Sequence, residues 1–74
     1  MLSVLVIENN EFFRKSFAGM LKSHVPALAI DETGDGDEAF EKIDSIVPDI
    51  IFLDIRLPGK NGLELAKEIK TRYP

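Results

Sequence analysis

An open parallel α/β sheet of the βαβαβα type is the fold this sequence predicts, and three features predict it. Short apolar runs of four to seven residues alternate with helix-period segments of ten to fourteen, the pattern of βαβ units. Capping residues and prolines separate the runs. Two of the runs, Leu2 to Ile7 and Asp49 to Leu53, end on side chains rich in oxygen: Glu8 and Asn9 after the first, Asp54 after the other. In open α/β sheets the carboxyl ends of the strands form the crevice that binds ligands.

The elements follow in order. Leu2 to Ile7 reads as the first strand, and Asn9 or Asn10 offers a side-chain oxygen to cap the next helix. Phe13, Phe17, Met20, Leu21 and His24 recur at steps of three and four, predicting a core-facing stripe on a helix over residues 11 to 24. Val25-Pro26 ends that helix, because proline disfavours the α conformation in the residue before it. Ala27 to Thr33 is expected as a second strand whose polar end fits a sheet edge. Gly34-Asp35-Gly36 supplies a turn, and Asp35 with Glu38 has the spacing of a capping pair for a helix over 36 to 46. The stripe of that helix is Ala39 or Phe40, Ile43, Ile46 and Val47.

Pro48 resets the chain for the third strand, Asp49 to Asp54, whose apolar run is that of a strand covered on both faces. Pro58-Gly59 fits the centre of a type II turn, proline fixing φ and glycine accepting a positive value. Asn61 and Glu64 repeat the capping spacing, and a third helix running to about Tyr73 should bury Gly62, Leu65, Ala66 and Ile69.

Composition narrows the function. Seventy-four residues, 45% hydrophobic and 30% charged, hold at most one small globular domain. No apolar run approaches the roughly 18 residues of a membrane span, and the strand-like LSVLVI carries neither a basic leader nor a small-residue cleavage site. The expectation is a cytoplasmic segment that makes no membrane contact. With no cysteine there is neither a disulfide framework nor a thiolate metal site. Nine basic against thirteen acidic side chains give a net charge of -4, which opposes charge-driven binding to nucleic acid.

If the first and third strands lie side by side and parallel, Glu8, Asn9 and Asp54 converge on one oxygen-rich pocket suited to a hard divalent cation. The acidic DETGDGDEAFEK tract does not make a calcium loop, since Thr33 and Lys42 stand where that loop needs an acidic or amide ligand and a bidentate glutamate. Lys60 and Asn61 read as turn and cap residues, and His24 as a side chain suited to a helix C-terminus.

Three blocks, VLVIENNEFFR, TGDGDEAFEKI and PDIIFLDIRLPGKNGLEL, resemble the receiver domain of bacterial two-component response regulators over essentially the whole chain, the third block being the specific one. The resemblance implies a flavodoxin-like, doubly wound parallel sheet, here truncated to strand order 2-1-3, with residues 1–74 forming the N-terminal portion of a single receiver domain. It implies that Asp54 is the phosphoacceptor, phosphorylated by a sensor histidine kinase or phosphotransfer protein. Mg²⁺ would be held by Glu8, Asn9, Asp54 and the backbone carbonyl of Arg56. Such a domain is a signalling module that controls an output domain and is not itself an enzyme.

Two departures stand out. The family usually has two aspartates where this chain has Glu8 and Asn9, so one formal charge is lost and the other sits one methylene further out. The family's switch Ser or Thr on strand four and Lys on strand five have no counterpart, since the chain stops where a fourth strand would begin. Two expectations follow: a competing reading as a pseudo-receiver kept for protein contacts, and a third strand left as an open edge through which two copies could pair. A nucleotide-using enzyme on the same kind of sheet is disfavoured, because no Gly-rich phosphate loop follows the first strand.

Overall fold

The computed structural model describes residues 2–54 and 62–73. Its elements run β1 (Ser3–Ile7), α1 (Glu11–His24), β2 (Ala29–Thr33), α2 (Gly36–Ile46), β3 (Ile50–Leu53) and α3 (Gly62–Arg72). The three strands form one parallel sheet in the order β2-β1-β3, which is the truncated flavodoxin-like arrangement expected. Ile7 lies opposite Thr33 on one side and Leu53 on the other, so all three strands end at one level.

Strand alternation divides the core into two layers. Leu5 and Ile7 face α2 and α3, packing with Ala39, Phe40, Ile43 and Leu65. Val4 and Val6 point the opposite way, toward Leu28, Phe17 and Leu21 on the α1 side. At the far end of α3, the Arg72 guanidinium lies 4.2 Å from the centre of the Phe40 ring and Tyr73 donates a hydrogen bond to Asp44, joining α3 to α2.

Local chemistry sets the helix ends. Asn10 is the cap of α1, its side chain accepting from the Phe13 N–H at 3.0 Å. Asp35 caps α2 by accepting from the Asp37 N–H at 3.0 Å. Val25 closes α1, and Val47 closes α2 in the left-handed region at φ 50.

Several expectations are corrected. Each strand is shorter than the apolar run that announced it: Leu2, Ala27, Leu28, Asp49 and Asp54 lie outside the ladders. Of the expected α1 stripe, Phe17 and Leu21 pack on the sheet, while Phe13 (60% exposed), Met20 and His24 are on the surface, because a sheet of three strands is too narrow to cover the whole stripe; Ala18, outside the expected set, is buried. Val47 is exposed as well, since the left-handed cap turns it away from the α2 stripe. The third strand is less covered than a central strand should be: Ile51 and Leu53 pack on the α2/α3 layer, and on the other face Phe52 meets the Phe17 ring of α1 edge-to-face at 4.9 Å, yet Phe52 (39%) and Ile50 (40%) stay partly open to solvent at the sheet edge. The Pro58-Gly59 turn, Lys60 and Asn61 lie outside the described residues.

Candidate functional site

Just where the ladders stop, one backbone hydrogen bond joins the carboxyl ends of β3 and β1 and another joins those of β1 and β2. The Asp54 N–H donates to the Ile7 carbonyl at 2.9 Å, and the Glu8 N–H donates to the Thr33 carbonyl at 3.0 Å. Asp54 and Glu8 therefore leave their strands side by side. Parallel pairing makes this possible, because in an antiparallel pair the two chain ends would lie on opposite rims of the sheet.

Glu8, Asn9, Asn10, Phe13 and Asp54 line one open cleft of about 260 Å³. The Glu8 carboxylate accepts from the Asn10 N–H at 3.2 Å, and Asn10 in turn caps α1, so the acidic turn and the helix start form one hydrogen-bonded unit. Three of the four expected site residues, Glu8, Asn9 and Asp54, are thus brought together. The fourth, Arg56 with its backbone carbonyl, lies outside the described residues.

The three expected site residues in the cleft could offer a metal two carboxylates and one amide oxygen, the second amide, Asn10, being engaged as the α1 cap. Among the described residues no group of three or more His, Cys, Asp or Glu side chains is placed to hold a metal ion, and the residue between Glu8 and Asn10 in the cleft is an asparagine. All the donors are hard oxygens, and the cleft is open to water. This fits Mg²⁺, which keeps several waters and uses one or two carboxylates, better than Zn²⁺, which takes nitrogen and sulfur ligands in a closed shell.

Arg14 adjoins the site and was not singled out from the sequence. With Glu8, Phe13, Phe52 and Asp54 it lines a second, more apolar cleft of about 330 Å³. Its guanidinium donates to the Glu8 carbonyl at 3.0 Å and to Glu32 at 3.2 Å. One signal could have found it: a cation near the positive end of a helix is in an unfavourable place and needs partners.

Thr33, the buried polar residue of the region, bonds through its hydroxyl to the backbone of Asp35, which shapes the turn beside the acidic one. That turn comes close enough that a methyl group on Gly34 would stand 2.8 Å from Arg14 Nη1 and 3.4 Å from the Glu8 carbonyl. Among the described residues no helix is long and apolar enough to cross a membrane.

Comparison with known proteins agrees with the fold and the motif blocks. The family model for the response regulator receiver domain matches residues 4–74. A protein-glutamate methylesterase/protein-glutamine glutaminase of Geobacillus kaustophilus is 36% identical over 73 residues, covering 99% of this chain and 21% of that protein. A transcriptional regulatory protein, LnrK of Bacillus subtilis, is 32% identical over 74 residues, covering 100% of this chain and 34% of its own length. The chain therefore spans between a fifth and about a third of these curated relatives.

Among solved structures, the signal receiver domain of a DNA-binding response regulator from Colwellia psychrerythraea superposes with a TM-score of 0.90 at 24% identity, covering 96% of this chain and 58% of that one. The N-terminal domain of an uncharacterized protein from Wolinella succinogenes superposes at 0.86 with 30% identity, covering 100% and 58%. On the family match over nearly its whole length, with the parallel 2-1-3 sheet beneath it, this chain belongs to the response regulator receiver domain family of two-component systems.

Proposed function

We propose that Asp54 is the phosphoacceptor of this receiver domain and that Glu8, Asn9, Asp54 and the Arg56 carbonyl hold Mg²⁺ beside it. The observation that carries this reading is the meeting of Asp54 with Glu8 and Asn9 in one cleft at the ends of adjacent parallel strands. An Asp54 carboxylate oxygen attacks the phosphorus of a phosphohistidine donor. The phosphorus–nitrogen bond breaks, its electron pair leaves with the imidazole, which takes up a proton, and Asp54 becomes an acyl phosphate. When bound, Mg²⁺ offsets the charge of the phosphoryl oxygens, which two carboxylates alone would repel. Phosphorylation adds about -1.5 to -2 charge at the strand end, by analogy with phosphorylated hydroxyl side chains.

In this reading the donor is a sensor histidine kinase or a phosphotransfer protein, the compartment is the cytoplasm, and the chain turns over no substrate of its own. The two relatives named above differ in their named activities, so the shared segment supports a common input role and no particular output. The 74 residues are proposed to be the N-terminal portion of the domain, in line with covering 58% of both solved chains. Taken alone, they would pair through β3, where Ile50 and Phe52 are exposed at the sheet edge.

Asn9 favours a second reading, a pseudo-receiver that keeps the fold for protein contacts and phosphorylates inefficiently. One experiment separates the two. The intact protein is incubated with acetyl phosphate and Mg²⁺, and the product is examined for an acid-stable, base-labile adduct that maps to Asp54 and is lost in Asp54→Asn. Absence of that adduct in the parent rejects the phosphoacceptor reading.

A further inference from the structure

We propose that Arg14 is a positioning residue for the acidic turn, and that through this turn it sets the affinity of the cleft for a divalent cation. The inference rests on the reading of Glu8, Asn9 and Asp54 as the metal-holding set.

Arg14 is a side chain of α1 only 15% exposed, and it bridges two strand ends. Its Nη1 donates to the Glu8 carbonyl at 3.0 Å and its Nε to Glu32 Oε1 at 3.2 Å. Lys15 approaches the same Glu32 oxygen at 3.6 Å. The planar guanidinium serves two acceptors at fixed angles, which a lysine ammonium on a flexible stem does not reproduce.

Each polar group of Glu8 is thereby engaged. Its N–H is held by the Thr33 carbonyl, its carbonyl by Arg14, and its carboxylate accepts from the Asn10 N–H. The peptide plane carrying the Glu8 carbonyl also carries the N–H of Asn9, because peptide units are rigid. Fixing that carbonyl therefore fixes the direction in which Asn9 leaves β1. Gly34 leaves room for the arrangement, since a Cβ there would stand 2.8 Å from Arg14 Nη1 and the guanidinium would have to shift from its place.

The sign of the effect separates positioning from its alternatives. A positive charge next to a cation site lowers metal affinity by repulsion, so if charge alone mattered, removing it would tighten binding. If Arg14 only stabilised the fold, the folded variant would bind like the parent. Positioning requires the opposite of the charge effect, a loss on the scale of about 10–100-fold known for outer partners of metal ligands.

The test is Mg²⁺ titration of the intact protein by calorimetry and by the shifts of the Asn9 and Asn10 amides, for parent, Arg14→Gln, Arg14→Lys and Gly34→Ala, at a temperature where each is folded by circular dichroism. The expected result is weaker binding by about 10–100-fold in Arg14→Gln, partial recovery in Arg14→Lys, and a loss in Gly34→Ala although its charge is unchanged. Equal or tighter binding in folded Arg14→Gln overturns the proposal. Should Arg14→Gln not fold, binding in both Arg14→Lys and Gly34→Ala within twofold of the parent overturns it equally. A parent that binds no Mg²⁺ overturns the metal-site reading itself, and this inference with it.

Discussion

Asp49 and Ser3 clasp the amino ends of β3 and β1. Asp49 Oδ2 accepts from the Ser3 N–H at 2.8 Å and from the Ser3 hydroxyl at 3.3 Å, while the Asp49 N–H donates to the Ser3 carbonyl at 2.9 Å. The clasp sits one residue before the first ladder pair, Val4 with Ile50. It fits the register that brings Asp54 level with Glu8, and a slip of one residue would break it and send the β3 side chains to the wrong faces.

Asp49→Ala removes the side-chain acceptor and leaves the backbone bond. The expected loss is about 1 kcal/mol in urea unfolding, with the m value unchanged. Asp49→Asn keeps an acceptor oxygen and should lose less. A full-strength Asp49→Ala variant would show that the ladder alone sets the register.

The helices were legible because their ends are written locally. Asn10 and Asp35 supply cap oxygens, Pro26 and Pro48 forbid continuation, and residues 11 to 24 and 36 to 46 are helical as read. The cleft was legible for a related reason, since Glu8, Asn9 and Asp54 each follow an apolar run and parallel strands put such ends together. Exposure along α1 was not. Periodicity says which side chains share a face, but how much of the face is covered depends on sheet width, and Phe13 lies beyond the layer formed by Val4, Val6 and Leu28. The role of Arg14 is not written in the local sequence, because its partners are a main-chain carbonyl and a glutamate eighteen residues away.

Val47 holds the C-cap of α2 in a conformation that suits glycine. It is 70% exposed with φ 50, and its N–H donates to the Ile43 carbonyl at 2.8 Å. A β-branched residue there costs about 1–2 kcal/mol, while glycine adds unfolded-state entropy of somewhat smaller size. Val47→Gly should therefore gain about 0.5–1 kcal/mol, read as a higher urea midpoint, with Val47→Asn intermediate. A lower midpoint for Val47→Gly would mean that the valine side chain makes a compensating contact.

The β3 edge leads to a prediction about association of the 74 residues alone. Ile50 is exposed on β3, one of the two edge strands, and a lysine on an edge blunts strand-to-strand pairing. The parent chain should show concentration-dependent dimerisation by light scattering, and Ile50→Lys should suppress it. A compact monomeric parent whose amides at 50 to 53 exchange slowly would defeat the idea.

Asn9 supplies the sharpest test of the cleft as a cation site. Replacing its amide by a carboxylate adds one negative charge beside Glu8 and Asp54 with almost no change in size. At about 4 Å in water-like surroundings a divalent ion gains roughly 2 kcal/mol from such a charge, and carboxylate crowding in the empty cleft takes back part of it. Asn9→Asp should then bind Mg²⁺ about tenfold more tightly in titration of the intact protein. Phosphorylation of Asp54 by acetyl phosphate should become faster at limiting Mg²⁺ and converge with the parent at saturation, because the added charge acts on ion capture and leaves the attacking carboxylate where it was. Equal affinities in the two proteins would place the cation away from Asn9 and leave Glu8 and Asp54 as its acidic ligands.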